Sequence, residues 1–272
     1  MGDVTRRTLL AGLGIGTVLV FAKCAADRQA EGAGTADGAA QPAAAPGGGA
    51  EATASAPDLQ RVPVPPGVLG ELPAGAGDVM AWTVDDGTSS AVVGAYTAFA
   101  ARSGIRLTYF VNGTYASWDE NADAIRPLVA SGQIQLANHT WSHADLTTLD
   151  DAGIRAELQR NHDYLAELYG VDARPYFRPP YGRHDARVDA AAAAIGYTVP
   201  TLWYGSLGDS GPLPEQTIVD LATEWFAAGR IVIGHLNHDP VTHVFDRLEA
   251  ILDERGLTTV TLNDVFVTEQ HP

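Results

Sequence analysis

The chain has one cysteine among 272 residues, Cys24, so an intrachain disulfide framework is excluded. Basic residues are scarce: 17 Lys and Arg stand against 33 Asp and Glu, a formal charge of −16. That balance favours solubility and argues against nucleic acid as a partner, because a phosphate backbone needs a basic surface. No block of like charges marks an interaction tail, and no internal repeat is visible. The apolar run over residues 9–22 is about 14 residues, short of the ~20 that span a bilayer. What is plentiful is apolar residues, 46% of the chain, enough for a sizeable core in one catalytic domain with appendages.

The first residues read as an address. Arg6 and Arg7 precede the short apolar run, and small residues follow it, which is the layout of a signal peptide. The arginine pair resembles a twin-arginine export signal, read by a receptor and not itself an anchor. Residues 1–26 are therefore expected to direct export, with cleavage after Ala26, to the cell envelope or the medium. The alternative is a membrane tether through a lipidated Cys24, although Lys23 directly before it makes a poor lipid-attachment site. Residues 27–76, rich in Ala, Gly and Pro, are expected to be a flexible linker, leaving 77–272 as the catalytic domain. A monomer is expected.

From residue 77 onward, apolar strand-like segments alternate with helical ones. Strands are expected at 78–84, 106–111, 133–137, 175–178, 197–202, 230–235 and 257–262. Between them, helices are expected around Val92, Tyr96 and Phe99, at 122–130, through Ile154, Leu158, Leu165 and Leu168, and near 185–195, 215–228 and 241–255. This is the pattern of a parallel α/β architecture. The chemistry-bearing motifs all fall where a strand gives way to a loop, the face at which βα barrels build their sites. A distorted (β/α)7-type barrel is the expected fold.

Four such motifs stand out. His139 and His143 lie four apart and can face one way, and imidazole is a favoured ligand of zinc and its neighbours. Asp85 and Asp86 close a strand before Gly87. Within a strand they would point to opposite faces, but a turn there allows both carboxylates to converge, one for a metal and one for a proton. In Arg178-Pro179-Pro180-Tyr181-Gly182 the prolines stiffen a loop, Arg178 can grip a carboxylate bidentately, and Tyr181 keeps a backbone N–H in a fixed place. Finally, Ile231-Val232-Ile233-Gly234 is a buried-type strand that ends in His235; His238 is its rival three residues on. His162, His184 and His243 fall on or beside helices and are expected to be solvated.

In this order, the motifs resemble the polysaccharide deacetylase family with the NodB homology domain (carbohydrate esterase family 4), over roughly residues 78–267. The resemblance implies a divalent ion, most often Zn2+ with Co2+ another candidate, on Asp86, His139 and His143. It further implies Asp85 as general base with Arg178 as its salt-bridge partner, and His235 as general acid. The Tyr181 N–H would stabilise the oxyanion. One motif departs: the family commonly has Asp-x-x-Asp-Trp after a tryptophan. Here Trp203 is followed by Ser206-Leu207-Gly208-Asp209-Ser210. Asp209 keeps the second acid and is a candidate for tuning His235, while Ser206 and Ser210 replace the first acid and the aromatic.

The implied activity is removal of N-acetyl groups from a cell-wall or chitin-like polysaccharide or oligosaccharide. O-deacetylation of acetylated xylan is the alternative within the same chemistry. A secreted carbohydrate-binding protein without catalysis is the alternative outside it.

Overall fold

Strand β2 (Val79–Asp86) is buried along its whole length and organises everything around it. In this computed structural model residues 57–267 are described; the export signal expected at 1–26 and most of the expected linker lie outside them. A short β1 (Val62–Pro63) precedes β2. The remaining strands follow as β3 (Leu107–Val111), β4 (Ile134–Asn138), β5 (Tyr176–Phe177), β6 (Val199–Pro200), β7 (Gly205–Ser206), β8 (Ile231–His235), β9 (Thr258–Thr259) and β10 (Phe266–Val267). The main sheet runs β6-β5-β4-β3-β2-β8-β7 with every pair parallel, and β9 adds to β2. Curled with its helices outside, this sheet is a distorted (β/α) barrel, as the alternation predicts.

The helices are α1 (Ser90–Ser103), α2 (Ser117–Glu120), α3 (Ala122–Ala130), α4 (Asp151–Tyr169), α5 (Ala186–Ala193), α6 (Glu215–Trp225), α7 (Phe245–Glu254) and α8 (Leu262–Val265). Their ends carry ordinary chemistry. Ser89 caps α1 by accepting from the Val92 N–H, and Gly104 closes it in the left-handed conformation. Asp150 and Gly170 do the same for α4. Helix α7 begins later than the expected 241 because Pro240 opens a 3-10 turn over residues 239–243.

Two-residue periodicity sorts the strands into faces. Met80, Trp82 and Val84 pack outward against the helices, with Tyr96, Phe99 and Phe226. Val79 and Ala81 face the barrel interior, with Phe110, Ala137, Tyr176 and Ile231. Thr83 and Asp85 share that inward parity, which is what carries Asp85 into the site. Strands β5, β6 and β9 are shorter than expected. For β5 and β6 the reason is that Pro175, Pro179 and Pro200 lack the N–H that a longer ladder would use.

The expected linker boundary at residue 76 is corrected. Residues 57–76 lie on the folded body: β1 pairs with β10, and Leu69 and Leu72 are 2% and 6% exposed in the interior core. The Leu69 N–H donates to the Pro200 carbonyl, its own carbonyl accepts from Leu202, and Leu72 donates to Gly229. This segment thus bridges the gap between β6 and the start of β8, where no sheet hydrogen bond joins the strands of the main path.

Candidate active site

At the end of β2 the strand alternation breaks. Asp86 has φ 78° and Gly87 φ 106°, so the chain turns left-handed and the second carboxylate swings to the same side as the first. Gly87 is required twice over, because a Cβ there would also lie 2.6 Å from the Trp118 ring. The two aspartates converge as their spacing allows: His139 Nε2 is 3.5 Å from Asp85 Oδ2 and 3.4 Å from Asp86 Oδ1. His143 Nε2 is 3.5 Å from the same Asp86 oxygen. One ligand atom from each of Asp86, His139 and His143 lies within 4.8 Å of the others.

Several features show that these residues suit a cation. Asp86 Oδ1 is buried with no hydrogen-bond partner, a costly arrangement unless something positive sits against it. His139 Nδ1 is 2.7 Å from the Arg178 carbonyl, which fixes its proton on that nitrogen and leaves the Nε2 lone pair facing Asp86. Burial works to raise the Asp86 carboxyl, but His139, the Asn237 amide and His235 outweigh it and hold it well below the carboxylate range. His143 is pushed below the ordinary imidazole range by burial and by the His139 charge, so its ring is available as a neutral ligand. In His139 burial acts downward, yet the two aspartates prevail and raise it, the mark of a point that calls for positive charge.

The four non-glycine residues with positive φ among the described residues are Asp86, Thr140, His143 and Tyr181, all at this site. Each such conformation costs about 1–3 kcal/mol and persists where the surroundings enforce it. For the histidine loop the enforcement comes from three buried asparagines: Asn138, which directly precedes the histidine pair, and Asn112 and Asn161, which no motif marks. Asn138 Oδ1 accepts from the Thr140 N–H, and Asn112 donates to the His139 and Thr140 carbonyls. Asn161, on α4, ties Asn138 to Val111. Three asparagines in strand-end and helix positions were the available signal, since an amide there must find partners.

Arg178 is fully buried. Its guanidinium lies 4.0 Å from the centre of the Phe110 ring. Through one nitrogen it donates to Asp85 Oδ1 at 2.6 Å and to Thr83 Oγ1, and through the other two to the Thr201 and Leu202 carbonyls. The bidentate grip expected from the sequence is therefore replaced by a single contact. The reason is that the neighbouring carbonyls need donors too, and the consequence is that Asp85 Oδ2 stays turned toward His139.

His235 stands in register with Asp85 on the adjacent strand, so both project to the same face. Its Nδ1 is 3.0 Å from Asp209 Oδ1, and its backbone N–H donates to Asp209 Oδ2 at 3.2 Å. Burial depresses the His235 pKa, but the Asp209 hydrogen bond and charge, with Asp85 and Asp86 beyond, raise it above the ordinary imidazole value. The structure thus places Asp209 on His235 despite the altered motif around it, while Ser206 and Ser210 line the opening with Trp203. Tyr181 stands at the rim, 61% exposed, its ring against His143; the N–H groups of Gly182 and Arg183 are taken by the Pro179 and Pro180 carbonyls. The whole forms a cleft of ≈ 390 Å³ that holds Asp85, Asp86, His139, His143, Tyr181 and His235, with Arg178 and Asp209 just behind its wall.

Among the described residues the other histidines, His238 included, do not line the cleft. His162 bonds to the Tyr197 hydroxyl, His184 to Asp189, and His243 to Glu215 and Asp239. His162 and His184 are thereby more enclosed than the solvated positions expected for them.

Residues 74–200 match the family described as Polysaccharide deacetylase. A chitin deacetylase from Pestalotiopsis sp. is 29% identical over 197 residues, covering 68% of this chain and 62% of that one. A second chitin deacetylase, from Arthroderma benhamiae, is 28% identical, and the match covers 51% of its length. The chain thus spans less than two thirds of either. An uncharacterized 30.6 kDa protein of Geobacillus stearothermophilus is 31% identical over 189 residues, covering 68% of this chain and 69% of that one. Among solved structures, a family 4 carbohydrate esterase from Streptomyces lividans in complex with acetate matches with a TM-score of 0.61 at 24% identity, covering 69% and 94% of the two chains. That last likeness is one of fold. With its four motifs gathered in one cleft and relatives at this level of identity, the chain belongs to the polysaccharide deacetylase family.

Proposed function

We propose that this chain is an exported, metal-dependent hydrolase that removes N-acetyl groups from a chitin-like or cell-wall polysaccharide. The observation that carries the reading is the convergence, in one cleft, of a cation-seeking Asp-His-His cluster, a second carboxylate held by a buried arginine, and a His-Asp pair. The relatives named chitin deacetylase, and one named a probable peptidoglycan-N-acetylglucosamine deacetylase, support an N-acetylated glycan as the substrate class.

A divalent ion on Asp86, His139 and His143, Zn2+ or Co2+ among the candidates, would polarise the acetamide carbonyl and acidify water. Around it the chain's own groups divide the work. Asp85 takes a proton from the attacking water as its oxygen bonds to the carbonyl carbon. Arg178 keeps that carboxylate in place. The Tyr181 N–H donates to the carbonyl oxygen as it gains charge, an effect worth about 3–4 kcal/mol in comparable sites. His235 gives its proton to the amide nitrogen as the C–N bond breaks, so that acetate and a free amine leave. An amine is a poor leaving group without that proton, whereas an ester alkoxide needs it less. A histidine whose hold on its proton is strengthened by Asp209 is therefore an argument for amide over ester.

The test is acetate release from chitooligosaccharides, peptidoglycan and acetylxylan, by protein stripped of metal and then reconstituted. Release from an N-acetylated glycan that returns with the ion is the expected result. Release from acetylxylan alone would move the assignment to O-deacetylation, and no release from any of the three would leave a binding protein.

A further inference from the structure

Asp86 has two carboxylate oxygens with different neighbours. Oδ1 is the buried, unpartnered atom that faces both histidines. Oδ2 accepts from the Asn237 Nδ2 at 2.6 Å. The Asn237 amide cannot turn the other way, because its Oδ1 is itself occupied: the Thr88 Oγ1 donates to it at 2.9 Å and the Thr88 N–H at 3.3 Å. Two donors on the oxygen force the NH2 toward the carboxylate. The loop that carries Asn237 is equally fixed. Buried Leu236 donates its N–H to the Asp85 carbonyl at 2.9 Å and accepts from Ser89 at 3.2 Å, so residues 85–89 and 235–237 are laced together.

We propose that Asn237 is a positioning residue for the metal ligand Asp86, held in register by Thr88. The inference rests on the reading that this cluster binds a divalent ion. Asp86 ends β2 in a left-handed conformation at φ 78°, which breaks the alternation that would otherwise aim its side chain, so strand geometry alone does not orient the carboxylate. The Asn237 donor does: it takes one oxygen and leaves the other to the ion. Partners of this kind fix a ligand's orientation without touching the metal, and their loss typically weakens metal affinity about 10–100-fold. Nor is Asn237 part of the Asp209–His235 pair, which approaches the cleft from the other side of the same strand end.

The experiment is Zn2+ affinity measured by chelator competition, with the Co2+ absorption spectrum as a second readout, on the full chain. Wild type is compared with Asn237→Ala and Thr88→Val, and the thermal midpoints of the metal-free proteins report folding. Asn237→Ala should bind Zn2+ about 10–100-fold more weakly, with a changed Co2+ spectrum and an unchanged metal-free midpoint. Thr88→Val, which removes one of the two donors on the amide oxygen, should lose less. An Asn237→Ala affinity within about twofold of wild type overturns the positioning role. Should Asn237→Ala fail to fold, Thr88→Val decides: weakened affinity supports the role, and wild-type affinity overturns it. If wild type binds neither ion, it is the metal reading that fails, a different result from a variant that binds as well as wild type.

Discussion

Asp209 holds His235 at two points, one carboxylate oxygen 3.0 Å from the ring Nδ1 and the other 3.2 Å from the backbone nitrogen of the same residue. Ring orientation and ring charge are thus set by one side chain, itself 2% exposed.

This predicts the pH behaviour. His235 must be protonated to serve as the acid, and its pKa is raised above the ordinary imidazole value. The active form is therefore complete at pH below that raised pKa and is lost as pH climbs through it. Asp209→Asn removes the hydrogen bond to a charged acceptor and leaves burial acting downward. The alkaline limb of the kcat–pH profile should move toward acid, and kcat at neutral pH should fall toward the ~10²-fold that general-acid catalysis supplies at its lower end. An Asp209→Asn profile that overlays wild type would remove His235 from the acid role.

Much of this site was legible because its parts are local. The spacing of His139 and His143, the Asp85-Asp86-Gly87 strand end and the apolar strand closed by His235 each announce themselves within five residues. Asp209 was legible only as a surviving acid in an altered motif; its contact with His235 spans 26 positions. Asn237 was hidden for a related reason. It lies between two histidines that drew attention, and its value comes from Asp86, 151 positions away. Residues 57–76 misled in the opposite sense: their Pro and Gly content reads as linker, but an irregular segment with two well-placed leucines can still be held by backbone bonds to distant strands.

Asp85→Asn separates the two carboxylates. Asp85 bonds to Arg178 and is turned to the cleft, while Asp86 faces both histidines. If Asp85 takes the proton, its amide variant should still bind Zn2+ yet lose turnover by about 10²–10⁴-fold. Metal affinity and kcat on the same preparation check this, and near-normal turnover would transfer the base role elsewhere.

The Arg178–Asp85 pair should also matter for stability. Neither side chain is more than 3% exposed. Arg178→Met would leave Asp85 as an uncompensated buried charge and strand the Thr201 and Leu202 carbonyls, a loss of about 3–5 kcal/mol. Urea unfolding of metal-free protein measures it. A loss below about 1 kcal/mol would mean that the pair behaves as a solvated surface bridge.

Metal removal should lower thermal stability as well as abolish activity, since an ion that binds only the folded state adds about 2.7 kcal/mol at a hundred times its Kd. His143→Ala should abolish that increment while disturbing the metal-free fold little, because His143 stands partly open to the cleft. His139→Ala should cost more in the metal-free protein, as it empties a buried position and frees the Arg178 carbonyl. Midpoints with and without chelator for the three proteins check the order, and an equal response to Zn2+ in wild type and His143→Ala would remove His143 from the ligand set.

The last prediction concerns barrel closure. Leu69 sits in the interior core with Tyr176, Val199 and Ile231 while its backbone bridges the β6 end, and Leu72 fixes the same segment to Gly229. Truncating a buried leucine to alanine costs about 2–5 kcal/mol where the surroundings cannot collapse. A curved sheet braced on several sides offers little room to collapse, so Leu69→Ala should fall in that range by urea unfolding. Because the bridge borders Thr201 and Leu202, whose carbonyls receive Arg178, the variant should also weaken the hold on Asp85 and lower kcat more than KM changes. A Leu69→Ala protein with wild-type stability would return residues 57–76 to the role of linker.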